Sequence, residues 1–140
     1  MRKSLTYKIL VAVLAAGSLG LYAATPAAAA DDYTVNNDGK ILNDEYNNVY
    51  GNGYSFTITG GTIYGDVFGV GNKDYDKDAS GGNVSFEGGT TTSGEAEGID
   101  GSGYFVRGGY TKDGDAYNNT VSISGTAEVQ GGVIGGQSRS

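Results

Sequence analysis

The sequence predicts an all-β protein of stacked repeats, and three observations predict it. In Tyr54-Ser55-Phe56-Thr57-Ile58-Thr59 apolar residues alternate with small hydroxylated ones, the period of two shown by a half-buried strand. This pattern returns: Phe56-Thr57-Ile58-Thr59-Gly60-Gly61-Thr62 matches Val84-Ser85-Phe86-Glu87-Gly88-Gly89-Thr90, and again Val121-Ser122-Ile123-Ser124-Gly125-Thr126, one glycine shorter. A second block follows each copy. Asp66-Val67-Phe68-Gly69-Val70-Gly71 corresponds to Phe105-Val106-Arg107-Gly108-Gly109-Tyr110 and to Gly132-Val133-Ile134-Gly135-Gly136-Gln137. The unit reads strand, Gly turn, strand, Gly turn, and recurrence of this kind marks a repeat architecture in which each repeat buries its apolar face on the next.

Residues 1–30 read as an export signal. Arg2, Lys3 and Lys8 precede the apolar run Ile9 to Ala16, Thr25-Pro26 breaks any helix, and Ala27 to Ala30 place small residues before Asp31. Cleavage is expected between Ala30 and Asp31. An uncleaved anchor would need roughly 20 apolar residues, and charges, Gly and Pro bound this run more tightly. The absence of cysteine excludes a lipidated N-terminus. Residues 31–53 are rich in Asn and Asp, with Val35, Ile41, Leu42 and Val49 as their aliphatic anchors, and read as a polar, frayed or capping start. Residues 54–140 carry the Gly-rich repeats. Thr91 to Gly103 reads as a loop inserted between the two blocks of the middle copy, and Asn72 to Gly82 and Thr111 to Asn119 as polar links between copies.

If Phe56, Val84 and Val121 face inward, they form one column, with Ile58, Phe86 and Ile123 as its neighbour. Thr and Ser then face water while keeping β-propensity, and glycines at the corners supply positive φ. The same strands also fit an antiparallel meander, and the low apolar content fits a disordered chain.

Charge narrows the partners. Nine Lys and Arg less the three in residues 1–30 leave six, against 16 Asp and Glu, a net charge of about −10 for residues 31–140. Such a surface repels nucleic acid and anionic membranes. With no Cys and no His, disulfides, thiolate metal sites and the commonest general base are all missing.

At "TITGGTIYGDVFGVGN" from Thr57 and "NNTVSISGTAEVQGGVIGGQS" from Asn118 the chain resembles the passenger regions of autotransporter (type V secretion) proteins. The likeness covers roughly residues 54–138 and the signal peptide. It implies a right-handed parallel β-helix, or β-solenoid, displayed outside the outer membrane. It also implies further passenger repeats and a membrane barrel downstream, because a barrel requires at least about eight alternating segments and this chain has no room for them. The chain is then expected to be an N-terminal piece of a longer protein, a truncated reading frame or a small secreted relative, its solenoid incomplete.

Few residues suggest chemistry. Asp74, Asp76 and Asp78 have the spacing that opens a calcium loop, but Ala79 and Ser85 stand where an EF-hand needs Gly and Glu, so a solvated acidic link is expected. Gly69-Val70-Gly71 lacks the helix and Lys of a phosphate loop. Glu95 and Glu97 lie in a polar insert, and Arg107 with isolated lysines is the only basic material for polysaccharide chemistry. No cofactor and no metal are expected. Tyr46, Tyr50, Tyr54, Tyr64, Tyr104 and Tyr110 offer an aromatic surface or pack between coils, the commoner use of aromatic area. The expectation is a non-enzymatic adhesin-like module that meets cell-surface glycans or proteins. The alternatives are a β-helix enzyme acting on polysaccharide and a calcium-stabilised secreted module.

Overall fold

A computed structural model describes residues 30–92 and 104–139. Among these residues the structure is all-β. Its strands are β1 (Tyr33–Thr34), β2 (Lys40–Leu42), β3 (Glu45–Tyr46), β4 (Val49–Tyr50), β5 (Phe56–Ile63), β6 (Val67–Gly71), β7 (Ala79–Ser80), β8 (Asn83–Thr91), β9 (Phe105–Thr111), β10 (Ala116–Tyr117), β11 (Thr120–Ile123), β12 (Glu128–Val129) and β13 (Gly132–Ser138). Every pairing between them is parallel, so the antiparallel meander is set aside.

One large sheet runs β1-β4-β6-β9-β13 and the other β2-β5-β8-β11, with β3 alongside β5 and β12 alongside β8. In both, order in space is order in sequence. Each circuit of the chain therefore lays one new strand on each sheet, beside the strand laid by the circuit before.

The register follows the sequence repeats. Phe56 pairs with Val84 and Val84 with Val121; Ile58 pairs with Phe86 and Phe86 with Ile123. In the other sheet Val67 pairs with Val106 and Val106 with Val133, and Phe68 pairs with Arg107 and Arg107 with Ile134. Leu42, Ile58 and Phe86 are fully buried in one column, and Val49, Val67 and Val106 in the facing one. Each such side chain contributes roughly 1.5–3 kcal/mol by leaving water. At the last circuit this stops: Val121 is half-buried, and Ile123 and Val133 are 40 % and 47 % exposed.

Residues 31–53, read as a frayed or capping start, form the first circuit of the stack, in which Val35, Leu42 and Val49 are buried while Ile41 points to solvent at 62 % exposure. Two expectations differ from the structure. Gly60-Gly61 does not end its strand. β5 continues through it, and Gly61 at φ +80° shifts the register by a bulge in a place where any Cβ would collide with the backbone of Asp44. The links 72–82 and 111–119 carry β7 and β10, which pair Ala79 with Ala116 in a small parallel ladder of their own.

The strands of the first sheet are joined by side chains as well as backbone. Asp32 Oδ1 accepts the Asn48 amide (3.1 Å), Asn48 Oδ1 accepts the Asp66 amide (2.8 Å), and Asp66 Oδ1 accepts the Phe105 amide (2.9 Å). These four residues directly precede register partners, so one Asp or Asn per circuit hooks the next circuit's opening amide. The ladder ends at Phe105, whose side chain has no acceptor to offer.

Candidate functional site

Two polar features stand out from the apolar stack. The first is Arg107, fully buried although it is an arginine. β9 places it between Phe68 of β6 and Ile134 of β13. Its Nη1 donates to Asp66 Oδ1 at 2.6 Å and its Nε to Gln137 Oε1 at 2.9 Å, so one guanidinium ties together three successive circuits. Nη2 has no hydrogen-bond partner. The guanidinium instead lies 4.4 Å from the Phe105 ring centroid and 5.5 Å from those of Phe68 and Tyr110. Attraction to the ring faces offsets part of the desolvation cost. Tyr50 stacks on Phe68 at 5.6 Å with planes 2° apart, and Tyr110 meets Phe68 edge-on at 6.1 Å. With the charge neutralised and enclosed, this network holds circuits together and is not placed to meet a substrate.

The second feature is the corner where β6, β9 and β13 end. Lys73, Asp74, Tyr110, Lys112, Asp113 and Arg139 line a cleft of about 350 Å³ there. An adjoining cleft of about 270 Å³ is lined by Thr34, Tyr50, Asn52, Asn72 and the same Lys73 and Asp74. Local bonding builds the corner: Asn72 Oδ1 accepts the Asp74 amide, the Lys112 amide donates to the Tyr75 carbonyl at 2.7 Å, and the Arg139 amide to that of Thr111 at 3.1 Å. Asn52 takes a left-handed φ of 54°, a conformation asparagine tolerates better than most residues. Burial raises the Tyr50 hydroxyl above the ordinary tyrosine range, helped by the charges of Asp32, Asp66 and Asp74 and by a hydrogen bond with Asp32. Tyr46 is raised by burial and then by Asp44.

The sequence-derived candidates fall as follows. Asp74, Asp76 and Asp78 do not converge: Asp74 lines both clefts, while Asp78 Oδ1 accepts the Asp115 amide of the next circuit at 3.0 Å. Among the described residues no three acids gather into a metal-sized group. Of the tyrosines, Tyr104 and Tyr110 are buried, Tyr46, Tyr50 and Tyr64 are half-buried, and Tyr54 is exposed, so packing claims most of the aromatic area. Glu95, Glu97, most of the 91–103 insert and residues 1–29 of the expected signal segment lie outside the described residues. Sequence reasoning missed the cation corner. Its trace in the sequence is that Lys73, Lys112 and Arg139 each stand two residues after the end of a repeat block.

No family model, curated protein or solved structure matches the chain.

Proposed function

We propose that this chain is an exported, non-enzymatic β-solenoid module of the autotransporter-passenger type, displayed at or beyond the cell surface, where its corners and edges meet glycans or proteins. One observation supports the reading: parallel sheets that grow in strict sequence order, with a register that aligns the repeated units opening at Phe56, Val84 and Val121. Residues pointing away from the stack and the links at its corners are then free to vary without disturbing the core, which suits a binding scaffold. Right-handed coiling, cleavage between Ala30 and Asp31, downstream repeats and an outer-membrane barrel belong to this proposal.

The test is N-terminal sequencing of the exported product together with protease treatment of intact cells. A product that begins at Asp31 and is lost on external proteolysis supports the reading. Retention in the cytoplasm with Met1 intact overturns it.

A further inference from the structure

Among the described residues three glycines directly follow an Asp or Asn: Gly39, Gly53 and Gly114. With no Cβ to block approach, a glycine nitrogen is the backbone group best able to attack the side-chain carbonyl before it. Asn52-Gly53 is the one Asn-Gly dipeptide of the sequence, and the most reactive of the three on chemical grounds. Asp38 and Asp113 present ionised carboxylates at neutral pH, which are poor electrophiles, whereas Asn52 presents a neutral amide. Asn52 is also exposed at its turn.

The structure holds each of these glycine amides in a hydrogen bond, but not in the same way. Gly114 donates to Thr111 Oγ1 at 3.0 Å, within its own turn. Gly39 donates to the Ser55 carbonyl at 2.8 Å, and Gly53 to the Gly69 carbonyl at 2.9 Å, so both reach into the next circuit. Around Asn52 the turn is fastened at both ends, since Gly51 donates to the Phe68 carbonyl at 2.6 Å. The attacking nitrogen must give up its proton and swing toward Asn52, and neither is open to it while Gly69 holds that proton. Left-handed φ angles at Asn52 (54°) and Gly53 (84°) belong to the same docked turn.

We infer that Asn52 is a site of spontaneous deamidation, closed while the first two circuits are docked and opened when they part. In the open state the Gly53 nitrogen attacks Asn52 Cγ. The new C–N bond forms, the Cγ–Nδ2 bond breaks, and ammonia leaves with the proton from the Gly53 amide. Water then opens the five-membered imide at either carbonyl, giving aspartate or isoaspartate. Both products put a carboxylate into the cleft that Asn52 shares with Asp74, where like charges repel. Isoaspartate also adds a methylene to the backbone and carries the Gly53 amide away from the Gly69 carbonyl. The modification therefore acts in one direction: an opening of the stack that lasts long enough to react leaves a circuit that docks less well. Local openings of this kind occur well short of global unfolding.

The experiment ages the purified chain at mildly alkaline pH in native buffer, in sub-denaturing urea and in unfolding urea. Peptide mapping by mass spectrometry follows Asn52, and enzymatic methylation counts isoaspartate. In unfolding urea Asn52 is expected to react before every other asparagine, and in native buffer at least tenfold more slowly. Asn48→Ala, which removes the acceptor of the Asp66 amide between the first two circuits, should raise the native rate at least threefold, and so should sub-denaturing urea. Asp78→Ala, which cuts an exposed hook to Asp115 elsewhere in the stack, should change it less than twofold. Equal rates in native buffer and unfolding urea would overturn the inference, as would equal acceleration by the two variants. Circular dichroism checks that Asn48→Ala is folded. If it is not, the sub-denaturing urea series decides, and a native rate that urea leaves unchanged up to the unfolding transition rejects the gate.

Discussion

Replacing Asp66 by alanine strands a buried charge. In the wild type one carboxylate oxygen serves both Arg107 Nη1 and the Phe105 amide, and the guanidinium has no route to water, since Arg107 is 0 % exposed. Removing one partner of such a pair costs about 3–5 kcal/mol, a large share of the roughly 5–15 kcal/mol that holds a typical domain together. At about 4 °C per kcal/mol for a domain near 100 residues, Asp66→Ala should lower Tm by roughly 12–20 °C. The companion is Asp66→Leu/Arg107→Met, which removes both charges and keeps most of the volume. It should recover at least half of the loss, because the desolvation penalty of the pair disappears with it. Urea unfolding followed by circular dichroism measures both, and an unchanged dependence on denaturant shows that the same surface unfolds. A loss below about 1 kcal/mol for Asp66→Ala would mean that Arg107 reaches water and that the three-circuit clamp does not exist. A double variant as unstable as the two single changes summed would refute the coupling.

Gly61 and Gly81 share nearly the same φ, +80° and +78°, but only Gly61 is crowded; Gly61→Ala should therefore destabilise far more than Gly81→Ala, about 3 kcal/mol or more against about 1, and equal losses would dismiss the clash with Asp44. For Tyr46 and Tyr50, whose folded-state pKa values are raised, the unfolded chain loses its phenolic protons first. Their contribution is whole below about pH 10 and declines as pH rises through the folded values, so a denaturation series from about pH 8 to 12 should be flat and then fall, and Tyr50→Phe should reduce the fall. Residues 31–140 on their own, with Ile123 and Val133 exposed on the C-terminal circuit, should self-associate with concentration, and Ile123→Ser with Val133→Ser should suppress light scattering without a loss of Tm. Cysteines at the register partners Thr57 and Ser85 should form a disulfide readily in this cysteine-free chain, whereas Thr57 with Glu87 should not.

The columns were legible because they rest on recurrence: aligning Phe56 with Val84 and Val121, or Val67 with Val106 and Val133, needs only the repeated strings. What escaped depends on a single residue per circuit. Asn48 and Asp66 each precede a valine, but an Asx-Val dipeptide carries no signal until the circuits are superimposed. Arg107 reads as an isolated base because Phe68 and Ile134, its apolar register partners, lie far off along the chain, and its acid and amide partners Asp66 and Gln137 are equally distant. Residues 31–53 look too polar for a core, yet three aliphatics suffice when a neighbouring circuit covers them. The exposure of Ile123 and the partial exposure of Val121 were not deducible either, since inward orientation buries a side chain only if another layer covers it.

The chain of hooks through Asp32, Asn48, Asp66 and Phe105 has a direction, and direction matters to a polypeptide that emerges from its N-terminus. Each completed circuit holds an acceptor in place before the donor that will use it has arrived, so docking a new circuit is recruitment to a prepared edge. The spans to be closed are 16, 18 and 39 residues, one step at a time. Because closure entropy grows only with the logarithm of loop length, the longest of these steps costs little more than the shortest, about 0.6 kcal/mol per doubling. Order of synthesis and order of assembly can then coincide, each circuit serving as the template on which the next is laid.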